Sequence, residues 1–385
     1  MSRLPEIWPN PLAYLSRMQP QQPVLFFAPK VLQQVARGFR AGFGGQVTYA
    51  LKANDSRAVI ENLLEAGIDG FDVASPAEIA KVRAVSADVA LHYNNPVRSP
   101  DEIAQARAAG VCSYAVDGLS ELAKLKAAGL GREVEVSVRL RLPVAGAVYD
   151  FGEKFGEDPA GAVVLLREVA ASGFRASMTF HPGTQCAEPA AWTAYIAACA
   201  QVAREAGVAL ERLNVGGGFA ANREGEAPDL GAIFKAIDGA VVSEFGADGP
   251  QLLCEPGRAL VAESHVLATR IKGLRECGAV FLNDGVYGSM GEGLNALGVS
   301  RRIRVLSPQG EERGGARRER TIYGPTCDSL DRLPGRYQLP ETLEEGDFVL
   351  FEAMGAYSSA TVTRFNGYGQ TEIVTVQDLA VDGTG

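Results

Sequence analysis

The stretch Val47-Thr48-Tyr49-Ala50-Leu51-Lys52-Ala53-Asn54, VTYALKAN, decides how the chain is read. β-Branched, aromatic and small apolar residues run straight into one lysine and a turn, and the helical pattern SRAVIENLLEAG follows. Together they make one strand–helix unit. A lysine at a strand end must carry its charge out to water or into a site, because a buried unpaired charge is costly. Taken alone, the stretch leaves both destinations open.

The same unit recurs along the chain. GFDVAS precedes PAEIAKVRAV, with Ser75 as N-cap and Pro76 as first helical residue. DVALHY precedes SPDEIAQARAAG, where Ser99 caps and the first turn is acidic. CSYAV, EVEVSVRL, RASMTF, ERLNV and QLLC bring the strand segments to eight, and most helices between them end in Ala-Gly or Ser-Gly, where glycine takes the left-handed cap. With no glycine-rich first turn and no break in strand order, the pattern predicts an α/β protein built on a closed (β/α)8 barrel rather than a doubly wound sheet.

The expected division has three parts: an N-terminal segment over 1–24 packing on the second domain, a barrel over 25–262, and a smaller antiparallel β domain over 263–385. In the last part SHVLATRIKGLREC, AVFLNDGV, RIRVLS, ERTIYGP, DFVLFEAM, ATVTRFNG and TEIVTVQD read as strands without covering helices. The run from Arg313 to Arg320 reads as a solvated loop.

Barrel enzymes place their reactive groups at the C-terminal ends of the strands. Those ends carry Lys52, Asp72, His92 to Asn94, Asp117, Arg139, His181, Gly216 to Gly218, Glu255, Gly257 and Arg258. So polar and glycine-rich a set predicts a catalytic mouth. A lysine there can form a Schiff base with a carbonyl, which suits an aldolase as well as a pyridoxal phosphate enzyme. The glycine triplet adds backbone N–H groups able to cradle a phosphate. Glu255 could keep a pyridine nitrogen protonated, and His181 could stack on a flat ring.

Composition removes other classes. A hydrophobic content of 46% with 22% charged residues is that of an ordinary globular protein. The net charge of −9 offers no basic field for nucleic acid or an anionic bilayer. Six cysteines without paired spacing and three histidines argue against a disulfide scaffold or a metal centre. The first residues contain no apolar run suited to a signal peptide or membrane span, which makes the cytoplasm the expected location.

YALKAN, GFDVAS, FHPGTQ, LNVGGGF, CEPGR, NDGVYGS, GPTCDSLD and MGAYSSATVTRFNG, in this order and over nearly the whole chain, resemble the signature segments of the alanine-racemase-fold (fold type III) pyridoxal phosphate-dependent decarboxylases of basic amino acids, the ornithine decarboxylases above all. The resemblance implies that Lys52 carries the cofactor covalently, that Glu255 meets its pyridine nitrogen, and that His181 lies against the ring face. It assigns Thr184, Gly216, Gly217, Gly218, Gly257, Arg258 and Tyr357 to the phosphate, and Asp72 and Arg139 to tuning the cofactor's surroundings. It further implies a head-to-tail homodimer with shared active sites. In that dimer Cys327 returns a proton to the substrate's α-carbon, Asp328 pairs with its distal amine, and Tyr287 lines the substrate pocket.

Two departures from the family pattern stand out. HPGTQ replaces the usual HVGS segment, so Thr184 keeps a hydroxyl while Pro182 stiffens the loop. In MGEGLNALGVS the position where ornithine enzymes carry an amine-binding aspartate falls at Asn295 or Ala296, neither acidic, and Glu292 is the nearest substitute. The expected activity is decarboxylation of L-ornithine to putrescine. The alternatives are another diamino acid (lysine, 2,4-diaminobutyrate, diaminopimelate or an N-substituted form), amino-acid racemisation, or a non-catalytic regulatory role.

Overall fold

The structure is a computed structural model that describes residues 7–143, 154–294 and 297–380. Its first strand, β1 (Val24–Phe27), precedes the eight that close into a barrel: β2 (Gln46–Ala50), β3 (Gly70–Val73), β4 (Ala90–Tyr93), β5 (Ser113–Val116), β6 (Glu135–Arg139), β7 (Arg175–Thr179), β8 (Arg212–Asn214) and β9 (Gln251–Cys254). All neighbouring pairs are parallel, and Gln46 opposite Leu253 with Val47 opposite Cys254 closes the ring. The expected (β/α)8 architecture is therefore the observed one. The helices between the strands bury one apolar face, Ile79 and Val82, Ile103 and Ala106, or Ile233 and Phe234, and their caps fix where they start. Ser75 accepts from Glu78 N–H, Ser99 and Glu102 form a full capping box, and Asp229 accepts from Ala232 N–H.

Not every strand-end residue reaches the mouth. His92 bonds inside the barrel to Ser113 Oγ at 2.6 Å, the first residue of β5, close to the buried pair Arg212–Glu135. It stands one residue before the end of β4, opposite Asp72 on β3 and the first residue of β5, and its ring is spent on Ser113. Burial, helped by Arg212, pushes its pKa down to about 3.

The second unit holds β10 (His265–Leu274), β11 (Ala279–Leu282), β12 (Ile303–Leu306), β13 (Arg317–Tyr323), β14 (Tyr337–Pro340), β15 (Phe348–Phe351) and β16 (Glu372–Thr375), in the order β12-β15-β10-β11-β13-β14. Most pairs are antiparallel, whereas β11 with β13 and β1 with β16 are parallel. One core gathers Leu267, Val280, Leu282, Val305, Val349 and Phe351, and another sets Trp8 and Tyr14 against Phe26 and Leu350. By contacts this unit comprises the described residues up to Val35, Ala221–Ala227 and those from Val261 onward, and the barrel unit comprises Ala36–Ala220 and Pro228–Leu260.

The β unit departs from the sequence reading in three places. Arg317–Arg320 is strand, not loop, paired with β14, and Arg313 forks onto both oxygens of Asp347 at 2.9 Å. The charges that suggested a solvated loop line the exposed half of β13 and its approach. ATVTRFNG is no strand: Asn366, Gly367 and Gly369 all take positive φ, and Phe365–Gly367 is a single 3₁₀ turn. β14 went unread because YQLP is short and ends in proline.

His265 in the β unit, stacked on Phe27 at 4.7 Å, is likewise pushed down, to about 4. Both His92 and His265 thus stay neutral in the fold while the unfolded chain protonates near pH 6.5. Their contribution to stability is complete above that pH and is lost as pH falls towards the folded values, on the order of 2 kcal/mol each by pH 5. Urea unfolding at pH 7.5, 6 and 5 should show it. The slope of stability against pH in that window is expected to fall by about one proton in His92→Gln, and an unchanged slope would contradict a neutral buried His92.

Candidate active site

Most of the polar residues at the barrel mouth are delivered by strand ends. Lys52 lies in the 3₁₀ turn Leu51–Ala53 directly after β2. The turn is held by Asn54 N–H on the Leu51 carbonyl and by the Tyr49 hydroxyl on the Asn54 carbonyl. Its side chain is open to solvent and sits in the field of Asp72, Glu78 and His181. The lysine therefore faces the site.

Asp72, near the end of β3, is buried, and its Oδ1 has no hydrogen-bond partner. Burial first and the charge of Glu255 second push its pKa well above the ordinary 3.8, although Lys52 and Arg139 pull the other way. Glu78, in the first turn of the helix Pro76–Arg83, accepts from Ala74 N–H at 2.6 Å and is also raised, chiefly by burial. Two acids beside Lys52 thus resist ionisation.

Arg139 ends β6, its guanidinium carbon 5.4 Å from the centre of the Phe155 ring. His181 follows β7, and its Nδ1 accepts from Gly183 N–H at 3.1 Å, which leaves Nε2 to carry the proton of the neutral ring. Although part of the ring is open, surrounding protein and then the charges of Lys52 and Arg139 push its pKa well below 6.5. Thr184 is half-buried in the loop after it, which is tied down by Cys186 N–H on the Gly218 carbonyl at 2.8 Å.

The glycine triplet is required by close packing. A Cβ on Gly216, at φ +71, would lie 2.0 Å from the Phe180 carbonyl oxygen, and one on Gly218, at φ +86, would lie 2.1 Å from that of Gly183. A Cβ on Gly217 would lie 2.7 Å from the Glu255 carbonyl oxygen and 3.2 Å from His181 Nε2. Glycine there lets three strand ends converge. Gly257 does the same against Ala50 and Ala53, and Arg258 is buried at the start of the next short helix. Glu255 is buried, and its Oε2 accepts from Asn94 Nδ2 at 2.6 Å and from Asn214 Nδ2 at 3.1 Å.

The mouth therefore brings together Lys52, Asp72, Arg139, His181, Gly216 to Gly218, Glu255, Gly257 and Arg258. It adds Glu78 and Asn214, which the sequence reading did not single out. Asn214 could have been found as the residue at the very end of β8; Glu78 sits one helical turn beyond a strand end, where position alone gives no signal.

The β unit holds the remaining candidates. Tyr287 donates its hydroxyl to Asp328 Oδ2 at 2.5 Å, and Leu330 N–H donates to Oδ1 at 2.9 Å. Those two donors, the backbone one first, hold the Asp328 pKa below the ordinary carboxylate value. Asp328 is half-open within the chain, and Cys327 is exposed with its N–H on Asn366 Oδ1 at 3.1 Å. Tyr357 takes φ +62, and its carbonyl accepts from Thr361 Oγ1. Glu292 does not stand alone: Arg223, itself buried, lies 3.6 Å away and also donates to the Gly298 carbonyl. Asn295 and Ala296 lie outside the described residues.

Asp331 holds the segment bearing Cys327 and Asp328 in place. Its fully buried carboxylate accepts from Val286 N–H at 3.0 Å and from Thr326 N–H at 2.9 Å, clamping NDGVYGS to GPTCDSLD. Asp331→Ala strands both donors, at a cost of about 2–4 kcal/mol. A urea midpoint lowered to match is expected, and an unchanged midpoint would mean that other groups hold the two segments.

Comparison with known proteins gives a consistent result. The family described as pyridoxal-dependent decarboxylase, pyridoxal binding domain, matches residues 30–262. Mouse ornithine decarboxylase is 30% identical over 348 residues, 84% of this chain and 74% of that protein. Ornithine decarboxylase of Panagrellus redivivus is 31% identical over 362 residues, 87% of this chain and 81% of that protein. Among solved structures, lysine/ornithine decarboxylase of Vibrio vulnificus complexed with cadaverine superposes with a TM-score of 0.80 at 30% identity, over 92% of this chain and 95% of that one. Lysine decarboxylase of Selenomonas ruminantium superposes with a TM-score of 0.82 at 27% identity, over 94% of each.

Proposed function

We propose, for a chain that belongs to the pyridoxal-dependent decarboxylase family, that it decarboxylates a basic L-amino acid, L-ornithine before others, with release of carbon dioxide and a diamine. The observation that carries the reading is the mouth itself: an accessible lysine, a neutral histidine and a carboxylate held by two amides surround a glycine cradle.

The residues fit pyridoxal phosphate. The glycine turn, in which no Cβ fits, presents side-chain-free backbone to a phosphate, with Gly216 N–H already committed to Asn214 Oδ1, and the donor set supplies an amine, a neutral flat ring and a carboxylate acceptor. When bound, the cofactor supplies an electron sink for the substrate's α-carbon. Lys52 would hold it covalently and be displaced by the substrate amine, Gly216 to Gly218, Gly257, Arg258, Thr184 and Tyr357 would bind its phosphate, and Glu255 would hold the ring proton. Neutral His181 would cover one ring face without adding charge, while Asp72 and Arg139 would set the surrounding field.

Cys327 and Asp328 act, in this reading, on the mouth of a second copy of the chain. Beside them Leu330 and Phe365 remain 66% and 42% exposed, apolar surface that favours coverage by such a copy. Cys327 would give a proton to the α-carbon. Asp328, kept anionic by its two donors, would receive the substrate's distal ammonium, and Tyr287 would fix its orientation.

Purified protein with pyridoxal phosphate is to be offered L-ornithine, L-lysine, L-arginine, 2,4-diaminobutyrate, meso-diaminopimelate and N-substituted ornithine and lysine, with carbon dioxide and amine quantified together. Equal yields, fastest with ornithine, are expected. The D-isomer without carbon dioxide would replace the reading by racemisation, and no turnover of any of them would overturn it. One observation favours a second reading. Glu292 is engaged by Arg223, so this segment presents a charge pair where a lone acid was expected, which suits a longer or N-substituted diamino acid.

A further inference from the structure

Glu255 and Asp72 are two buried carboxylates within each other's field, and two negative charges so placed are unfavourable. One of them has two side-chain donors and the other has an oxygen with no partner. We infer that Asn94 is a positioning residue which, together with Asn214, makes Glu255 and not Asp72 the charged carboxylate of the mouth and leaves Glu255 Oε1 to face the cofactor ring. This rests on Glu255 being the partner of the ring nitrogen.

The hydrogen bonds argue for it. Asn94 follows β4 and is tied by its own N–H to the Val73 carbonyl at 3.2 Å, so its amide has a fixed origin. Asn214 cannot turn round, because its Oδ1 accepts from Gly216 N–H at 2.9 Å and its Nδ2 must then face Glu255. Both amides converge on Oε2 alone. A carboxylate that accepts two donors is favoured in its charged form. Asp72, with Oδ1 unpartnered, gains nothing comparable, and burial drives its pKa up. The other charged groups acting on this pair are Lys52 after β2, Glu78 on the helix after β3 and Arg139 on β6. Of these, the two cations act on Asp72 against the proposal, and burial outweighs them.

Cofactor labelled with ¹⁵N in the ring reports the ring proton directly in the holoenzyme, independently of turnover. The wild type is expected to show a protonated ring nitrogen at neutral pH. Asn94→Ala, which removes one donor, should move the resonance towards the neutral-ring position, and Asn94→Asp, which sets a further acid against Glu255, should move it further. Borohydride reduction of each protein confirms that the cofactor occupies Lys52. A neutral ring nitrogen in the wild type would defeat the reading of Glu255 itself. A protonated wild type with unmoved resonances in the variants would leave that reading intact and overturn the role of Asn94. Should Asn94→Asp bind no cofactor, Asn94→Ala decides by the same criterion.

Discussion

Lys52→Ala is expected to give a protein that, once unbound pyridoxal phosphate has been removed, lacks the visible band of a lysine-bound cofactor and that turns over its substrate at least ~10³-fold more slowly than the wild type. The turn that carries Lys52 is set by backbone bonds and by the Tyr49 hydroxyl, none of which involves the lysine side chain. The side chain is also open to solvent, so its removal creates no core cavity. The unfolding midpoint should therefore stay close to that of the wild type. Visible absorbance, steady-state rate and urea midpoint measured on the same preparations separate loss of the amine from loss of the fold. Retained absorbance with normal turnover would remove Lys52 from the chemistry.

Gly216→Ala should be nearly as damaging by a different route. The new methyl would meet the Phe180 carbonyl oxygen and crowd His181 Cα at 3.1 Å, in a backbone conformation with φ +71 that alanine resists. Overpacking costs on the order of 1–3 kcal/mol, and the left-handed conformation adds about 1 kcal/mol more. Phe180 cannot yield cheaply, because its ring is stacked on Tyr195 at 4.6 Å. The strain therefore falls on His181 and on the neighbouring cradle. Cofactor affinity, measured by fluorescence quenching on the folded variant, should weaken by a factor of ten or more by that account. Wild-type affinity would show that the triplet's shape is not what binds the phosphate.

Much of this was legible in the chain. Period, capping residues and glycine stops defined eight strand–helix units, because each unit is local and its signals lie within a few residues of one another. Lys52, Asp72, Arg139, His181 and Glu255 were found by one rule, that strand ends face the mouth. The same rule misplaced His92, whose ring is spent on Ser113 of β5, a relation between strands that no single segment reveals. It also missed Glu78, which reaches Lys52's surroundings from a helix.

The β domain was harder to read. β1 pairs with β10 and β16, partners over 230 residues away in the chain, and no local pattern announces such a pairing. The arginines of β13 disguised the exposed first residues of a strand whose remainder, ERTIYGP, was legible. The ion pair between Glu292 and Arg223 joins residues on separate segments and could not be foreseen from MGEGLNALGVS.

The central claim, that the lysine after the barrel's first strand is the cofactor's point of attachment, is tested most directly by borohydride reduction of the holoprotein followed by peptide mass mapping. The account predicts a single pyridoxyl-type mass addition per chain, carried by the peptide containing Lys52. Addition at another lysine, or none on a protein that decarboxylates its substrate, would contradict it.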